Sequence, residues 1–242
     1  MDVDYWVLVI IQVSNDKLRE LESKIGFTFK DKDHLLMALT HRSYLNENPG
    51  WRLDHNERME FLGDAVLELV VTEYLYSKYP NPEGEITNWR AALVNAVMLS
   101  KIAGEFDLNK YILLSRGEAK DTGRARQYIL ANAMESLIGA IYLDQGYDAS
   151  KEFISKFILK ELPGIIENQL YRDAKSLFQE KAQDKVGITP TYEVLKEWGP
   201  DHARNFEVGV FLEKEMVASG QGPSKQEAQQ VAASEALKKK GW

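Results

Sequence analysis

Apolar residues recur at helical spacings over the first two thirds of the 242-residue chain. From Val13 to Leu170 they return every three or four positions, and no strand-like alternation of useful length occurs there. Pro80 and Pro82 end one of the predicted helices, because proline cannot continue a helix interior. The pattern predicts an all-α domain at residues 14–168.

Three local predictions concern the helices of this domain. One helix is expected to carry His41 and Ser43 near its end, and another is expected to run without interruption over residues 83–104. Asp54 is expected to cap the helix that follows it, with Glu57 completing the spacing of a capping box.

The pattern changes after about Asn168. A helix is predicted at residues 174–186, and a second one follows three strand-like segments, which are Thr191–Trp198, Phe206–Glu213 and Glu215–Ser219. Ser224 and Glu227 have the spacing of a capping box at the start of that last helix. The order α-β-β-β-α predicts a small α+β domain at residues 171–242, so the fold class is multidomain.

One predicted helix combines apolar residues on all sides with a row of acids. Apolar residues from 59 to 76 fall on every side of the helix, which is typical of a helix enclosed by others, yet four acidic side chains share one side: Glu57, Glu60, Asp64 and Glu68. Like charges at such spacings repel by about 0.2–0.5 kcal/mol per pair. Buried carboxylates must protonate, pair with bases or bind a cation, and Arg58 alone cannot neutralise the row. A solvated acidic face is the alternative, which the apolar surroundings weaken.

A second helix of the same kind is predicted at residues 129–142, with Asn132 and Glu135 three positions apart. It carries several small residues that would let another helix approach closely: Ala131, Ala133, Ser136, Gly139 and Ala140. Two such helices that cross would bring together three carboxylates and one carboxamide. A cluster of oxygen ligands suits Mg²⁺ or Mn²⁺ and does not suit zinc.

Both stretches resemble motifs of a known family. Asn-Glu-Arg-Met-Glu-Phe-Leu-Gly-Asp at residues 56–64 resembles the signature of ribonuclease III, and residues 129–140 resemble that family's second metal-ligand helix. Residues 40–43 and 82–94 also fit the family, in the same order along the chain. The resemblance covers nearly the whole sequence.

The resemblance implies a Mg²⁺-dependent endoribonuclease that hydrolyses double-stranded RNA, with Mn²⁺ as a possible substitute. It places Glu60, Asp64 and Glu135 at metal-ligand positions, together with Asn132 where the family usually has aspartate. Glu57 and Glu83 match accessory acidic positions of the cleavage site, so the catalytic set comprises these six residues. A carboxamide oxygen can coordinate a hard cation but brings no charge, so the expected site has one fewer anionic ligand.

Phe61 matches the aromatic residue that packs across the family's dimer interface. The resemblance therefore implies a homodimer. The alternative is that Phe61 packs in the core of its own chain, because both roles require an aromatic side chain that is buried in the assembled protein.

The C-terminal pattern resembles the double-stranded-RNA-binding domain. Its three contact regions map onto six residues: Gln179 and Glu180 in the first helix, Pro200 and His202 in the following loop, and Ser224 and Lys225 at the start of the last helix. A helix N-terminus beside a lysine attracts phosphate groups. Gln226 stands where the family usually carries a second lysine, so weaker and less salt-dependent binding is expected.

Charge and composition narrow the functional classes. The net charge of −7 lies wholly in residues 1–170, because residues 171–242 carry 11 basic and 11 acidic side chains. RNA affinity must then come from local clusters of bases. The absence of cysteine excludes disulfides, thiolate zinc sites and cysteine nucleophiles. The apolar run at residues 5–11 is shorter than the ~20 residues of a membrane span, so a cytoplasmic protein without a membrane partner is expected.

Two functions follow from these observations. The first is an enzyme that processes rRNA and mRNA precursors and takes part in RNA turnover. The alternative is a catalytically weakened factor that binds double-stranded RNA, because Asn132 replaces the usual aspartate. A small-molecule di-metal hydrolase would leave the RNA-binding domain unexplained.

Overall fold

The computed structural model of this protein describes residues 16–120, 122–169, 171, 173–200 and 204–242. The chain divides into two compact units, of which the first ends at Asn168 and the second starts at Gln169. The first unit is helical, and the second combines two helices with a three-stranded sheet. The predicted fold class is confirmed.

Nine α-helices lie in the described part of the first unit. They are α1 (residues 16–25), α2 (Lys32–Ala38), α3 (Arg42–Glu47), α4 (Glu57–Lys78), α5 (Glu83–Val94), α6 (Ala96–Glu105), α7 (Arg124–Gln145), α8 (Tyr147–Phe157) and α9 (Leu162–Glu167). Single 3-10 turns occur at Leu108–Lys110, Glu118–Lys120 and Leu159–Glu161. No helix among the described residues is long and apolar enough to cross a membrane.

Two helix boundaries differ from the prediction because side chains satisfy backbone groups at the breaks. His41 and Ser43 do not end a helix: His41 caps the start of α3, where its Nδ1 accepts a hydrogen bond from the Ser43 amide at 3.3 Å. The predicted helix at residues 83–104 is broken at Asn95, whose side chain accepts from the Met98 amide at 2.9 Å. Such caps satisfy free N–H groups of a first helical turn.

The start of α4 is fixed by backbone contacts and not by the predicted cap. Asn56 occupies the N-cap position, so the expectation that Asp54 caps this helix is wrong. The Asn56 amide donates to Thr40 O at 2.9 Å, and its side chain donates to Ala38 O at 3.3 Å. Thr40 in turn forms an isolated parallel bridge with Leu113. The chain before α4 is therefore tied to two distant segments.

Helices α4 and α7, each of 22 residues, form the centre of the first unit. The buried residues of α7 lie on several sides of the helix, as the all-round apolar pattern predicts, whereas those of α4 lie on one side. In α4 they are Met59, Gly63, Val66, Leu67, Val70, Val71 and Leu75. The opposite side of α4 is exposed at Phe61, Leu69 and Tyr76, so within its own chain α7 is enclosed as predicted and α4 is not.

The second unit has the predicted order of elements, with α10 (Ala174–Val186), β1 (Thr191–Trp198), β2 (Asn205–Leu212), β3 (Glu215–Gly222) and α11 (Lys225–Lys240). The sheet is antiparallel with strand order β1-β2-β3. Helix α11 lies close to β3, since a Cβ at Gly220 would be 2.2 Å from the Ala232 nitrogen. Ser224 caps α11 by accepting from the Glu227 amide at 3.2 Å, which confirms the capping residue.

Candidate active site and RNA-binding surface

Two glycines allow α4 and α7 to cross at backbone contact. A Cβ at Gly63 would lie 1.8 Å from the carbonyl oxygen of Glu135, and one at Gly139 would lie 2.3 Å from the carbonyl oxygen of Met59. No other residue fits at either position. The sequence analysis recognised Gly139 as a small residue but missed Gly63. A glycine inside a predicted helix is the available signal, because it lowers helix stability by about 1 kcal/mol relative to alanine and so suggests a packing reason.

This crossing places the acids of α4 beside those of α7. Glu60 and Asp64 flank Gly63 in the sequence, and Glu135 supplies the carbonyl that Gly63 contacts. Burial raises the pKa of Glu135 to about 7, and the negative charges of Asp64 and Glu60 act in the same direction. Each of these influences disfavours the charged form, so Glu135 exchanges its proton near neutral pH.

Asn132 is a hydrogen-bond partner of this acidic group. Burial raises the pKa of Glu60, as do the charges of Glu57 and Asp64, whereas a hydrogen bond from the Asn132 side chain lowers it. The amide of Asn132 is the donor, because an ionised carboxylate only accepts. The structure therefore brings together four predicted residues, Glu60, Asp64, Asn132 and Glu135.

A serine that sequence reasoning missed supports this arrangement. The Ser136 hydroxyl oxygen lies 2.8 Å from the carbonyl oxygen of Asn132 and 3.3 Å from that of Asn56, and the side chain is fully buried. It thus connects α7 to the N-terminus of α4. Only the fold reveals this role, because serine was recognisable in the sequence merely as a small residue.

The donor atoms of this group suit a divalent cation, although the side chains are not gathered around one point. Within the described ranges, no three histidine or acidic side chains converge as closely as ligands of one metal ion would. The set nevertheless supplies three carboxylates and a carboxamide, which are hard oxygen donors. Burial, with repulsion from the neighbouring acids added to it, raises the pKa of Glu60 and of Glu135, and a cation would offset both effects. By charge and donor type, the residues fit Mg²⁺ or Mn²⁺.

The two accessory acids have different surroundings. Glu57 begins α4, lies 3.5 Å from Arg42 and 3.8 Å from His55, and adds its charge to the environment of Glu60. Glu83 begins α5 and accepts a hydrogen bond from the Thr87 hydroxyl at 3.3 Å. In the part of the chain that the structure describes, no hydrogen bond or ion pair joins Glu83 to the acids of α4 and α7.

Phe61 is not part of the core of its own chain, because 80% of its surface is exposed. It borders a pocket of about 680 Å³ whose other apolar lining residues are Met37, Met59, Leu62 and Leu143. Leu69 and Tyr76 are exposed farther along the same helix, by 58% and 81%. A monomer would leave this apolar surface in water, which is unusual for a stable soluble protein.

The predicted RNA contacts lie on exposed parts of the second unit. Gln179, Glu180 and Pro200 are exposed, whereas His202 lies outside the described residues. Lys225 is exposed at the first position of α11, and its Nζ lies 5.6 Å from the centre of the Phe206 ring. Ser224 at the N-cap leaves the free N–H groups of this helix end close to Lys225, a combination that favours phosphate.

Comparison with known proteins gives both units a family. The family model described as Ribonuclease-III-like matches residues 31–162, and the double-stranded RNA binding motif matches residues 174–240. Ribonuclease 3 of a Nitratiruptor species is 46% identical over 92% of this chain and 96% of its own length. That of Natranaerobius thermophilus is 48% identical over 91% of this chain and 95% of its own length.

A solved structure agrees with these sequence relatives. The nuclease domain of ribonuclease III from Campylobacter jejuni, described for structural flexibility in a region involved in dimer formation, matches with a TM-score of 0.54 and 42% identity. The match covers 60% of this chain and 97% of that domain. The two crossed acidic helices and the α-β-β-β-α unit thus occur in a chain that belongs to the ribonuclease III family, whose members are endoribonucleases acting on double-stranded RNA.

Proposed function

We propose that this chain cleaves double-stranded RNA in a Mg²⁺-dependent reaction, with Mn²⁺ as a possible substitute, at the crossing of α4 and α7. The observation that carries this proposal is the group of carboxylates around the half-buried Glu135, where burial, together with the charges of Asp64 and Glu60, raises the pKa of Glu135 to about 7. A protein without such chemistry gains nothing from keeping like charges together at a half-buried place.

The residues have distinct roles in the proposed reaction. When bound, a divalent cation stabilises charge on the phosphoryl oxygens and activates water. Glu60, Asp64 and Glu135 would hold it as anionic ligands, and the side-chain carboxamide oxygen of Asn132 would complete the set. Glu135 must first release its proton, which it does near neutral pH. Glu57 and Glu83 are proposed as accessory acids of the cleavage site.

Asn132 does not by itself favour the alternative of an inactive RNA-binding factor. The NH₂ group of its side chain donates to Glu60, and the oxygen of the same side chain is an acceptor that can coordinate a cation. The three acidic ligands are all present. The expected consequence is weaker cation binding, and not loss of the reaction.

The test is incubation of the pure protein with a long RNA duplex in Mg²⁺, in Mn²⁺ and in EDTA, followed by sizing of the products and analysis of their ends. We expect short duplexes with 5′-phosphate and 3′-hydroxyl ends in either cation. Glu135→Gln should suppress cleavage while leaving RNA binding nearly intact. If the natural chain is inactive at every cation concentration and Asn132→Asp restores cleavage, the proposal that this sequence is a working nuclease is rejected.

We also propose a homodimer formed around Phe61. The exposed Phe61 and the apolar pocket beside it support this assembly, and the Campylobacter jejuni nuclease domain has a region involved in dimer formation. Light scattering at micromolar concentration should give twice the chain mass of 27.6 kDa. Phe61→Ser should shift the protein toward monomer, whereas Met216→Ser, an exposed apolar position in the second unit, should not. A natural chain that is monomeric would contradict the proposal.

For the cell we propose that the enzyme acts in the cytoplasm on rRNA and mRNA precursors and in RNA turnover, with no membrane partner. Family membership and the RNA-binding motif support this role. Depletion of the protein should cause long precursors of rRNA to accumulate, as measured by RNA blotting. Unchanged precursor levels would argue against a role in rRNA processing.

A further inference from the structure

The N-terminal turn of α11 carries little positive charge of its own. Lys225 is the single lysine among residues 225–229, because Gln226 and Gln229 are neutral. An RNA duplex presents several phosphates to such a surface, and α11 offers them one ammonium group and the helix N-terminus. A second base could reach the same surface only from another element.

Lys175 of α10 is such a base. Its Nζ donates a hydrogen bond to the side-chain oxygen of Gln229 at 2.8 Å, and its backbone amide lies 3.4 Å from the side-chain oxygen of Gln230. The Nζ also lies 5.1 Å from the centre of the Tyr192 ring. The ammonium group is therefore held at a defined place against α11. Within the described part of the chain, neither Lys175 nor Lys225 takes part in an ion pair with an acid.

The position of Gln229 relates the two lysines. Gln229 follows Lys225 by four residues, and residues at that spacing lie on the same side of a helix. Lys175 also precedes Gln179, a proposed RNA contact, by four residues on α10. Lys175 is therefore one helical turn from the contact region on α10 and contacts α11 one turn after Lys225, so it adjoins two contact regions that the family resemblance treats as separate.

We propose that Lys175, positioned by Gln229, is a further phosphate-binding residue of the RNA-binding surface, where it adds a second ammonium group to that of Lys225. This inference rests on the proposed binding of double-stranded RNA. The competing explanation is that Lys175 merely stabilises the packing of α10 on α11. The two explanations differ in the salt dependence of RNA binding, because only a phosphate contact contributes to counterion release.

The experiment measures binding of the full-length protein to a labelled RNA duplex of about 16 base pairs, the span of one such domain, over a range of salt concentrations in EDTA. Lys175→Gln and Lys225→Gln should each weaken binding several-fold and reduce the slope of log affinity against log salt by about 1. Their combination should reduce it by about 2. Gln229→Ala, which frees the Lys175 side chain, should weaken binding less than Lys175→Gln does.

Matched variants separate charge from structure. Lys185→Gln removes a lysine from the other end of α10, where its Nζ lies 3.9 Å from Asp184, and should leave affinity and slope unchanged. Lys175→Arg keeps the charge and should keep the slope. Thermal unfolding of every variant reports on folding.

The outcomes distinguish the two levels of the proposal. If Lys225→Gln lowers the slope but Lys175→Gln does not, whatever its effect on thermal stability, the role of Lys175 is overturned and the RNA-binding function stands. If the natural protein binds no duplex, both fail.

Discussion

At position 132 this chain carries an amide where the ribonuclease III family usually has a carboxylate. The Asn132 side chain donates a hydrogen bond to Glu60, whose charged form is disfavoured by burial and by two neighbouring acids. An aspartate would instead add a further negative charge to the group. We therefore expect the asparagine to stabilise the protein when no cation is bound, and a carboxylate at this position to favour cation binding.

Asn132→Asp is expected to lower the thermal midpoint in EDTA by a few degrees, corresponding to about 1–2 kcal/mol. The variant should also gain more stability than the natural protein as Mg²⁺ is added, because it binds the ion more tightly. Asn88→Asp, at an exposed position of α5, is the control and should change neither quantity. An equal response of the two proteins to Mg²⁺ would show that Asn132 does not face the ion.

Glu135 gives a prediction about pH. Its pKa in the folded protein is about 7, above the ordinary value of 4.5, so folding favours the protonated form. The resulting stabilisation is complete below pH 4.5 and is lost as the pH rises through 7. Allowing for partial exposure, the change is on the order of 2 kcal/mol.

Glu135→Gln should therefore be more stable than the natural protein at pH 8, and the difference should shrink toward pH 5. Urea unfolding in EDTA at the two pH values measures it, and comparison of the two proteins cancels the titration of other groups. A difference that does not depend on pH would show that Glu135 is not the group that titrates.

At the scale of elements, the α4–α7 crossing sets the distance between the acids. Gly63→Ala would place a Cβ 1.8 Å from a backbone oxygen, so the helices must separate. We expect a loss of about 1–3 kcal/mol or more in stability, together with a loss of cleavage. Gly104→Ala in α6, where nothing lies within 4 Å, is the matched control and should be neutral or stabilising by up to about 1 kcal/mol. Unfolding curves and cleavage rates of both variants provide the test.

At the scale of the whole molecule, residues 14–168 and 171–242 are expected to fold as separable domains, each with its own core. Limited proteolysis with a nonspecific protease should cut first within residues 163–174, which span most of α9 and its connection to the start of α10. The fragment at 171–242 should still bind duplex RNA but should not cleave it. A protein that shows no cut in this interval, or a fragment that unfolds on release, would contradict the prediction.

Local chemistry determined much of this protein from the sequence alone. Helical and alternating periods predicted an all-α unit followed by an α-β-β-β-α unit, because each period places apolar side chains on the face that must be buried. Carboxylates at fixed helical spacings indicated a cation site, and Ser224 was identified as a cap from its residue type and position. These features depend on neighbours along the chain.

The tertiary structure decided what depends on contacts between distant segments. Asn56 rather than Asp54 occupies the N-cap position of α4, because the carbonyl oxygens of Thr40 and Ala38 accept hydrogen bonds from its backbone and side-chain amides across the fold. The need for glycine at position 63 comes from the Glu135 carbonyl oxygen, which lies where a Cβ would be. The exposure of Phe61 and the contact of Lys175 with Gln229 were likewise invisible in the sequence. The hydrophobic period of a helix does not indicate which other helix it packs against. That pairing determines the burial, the protonation and the contacts of each side chain.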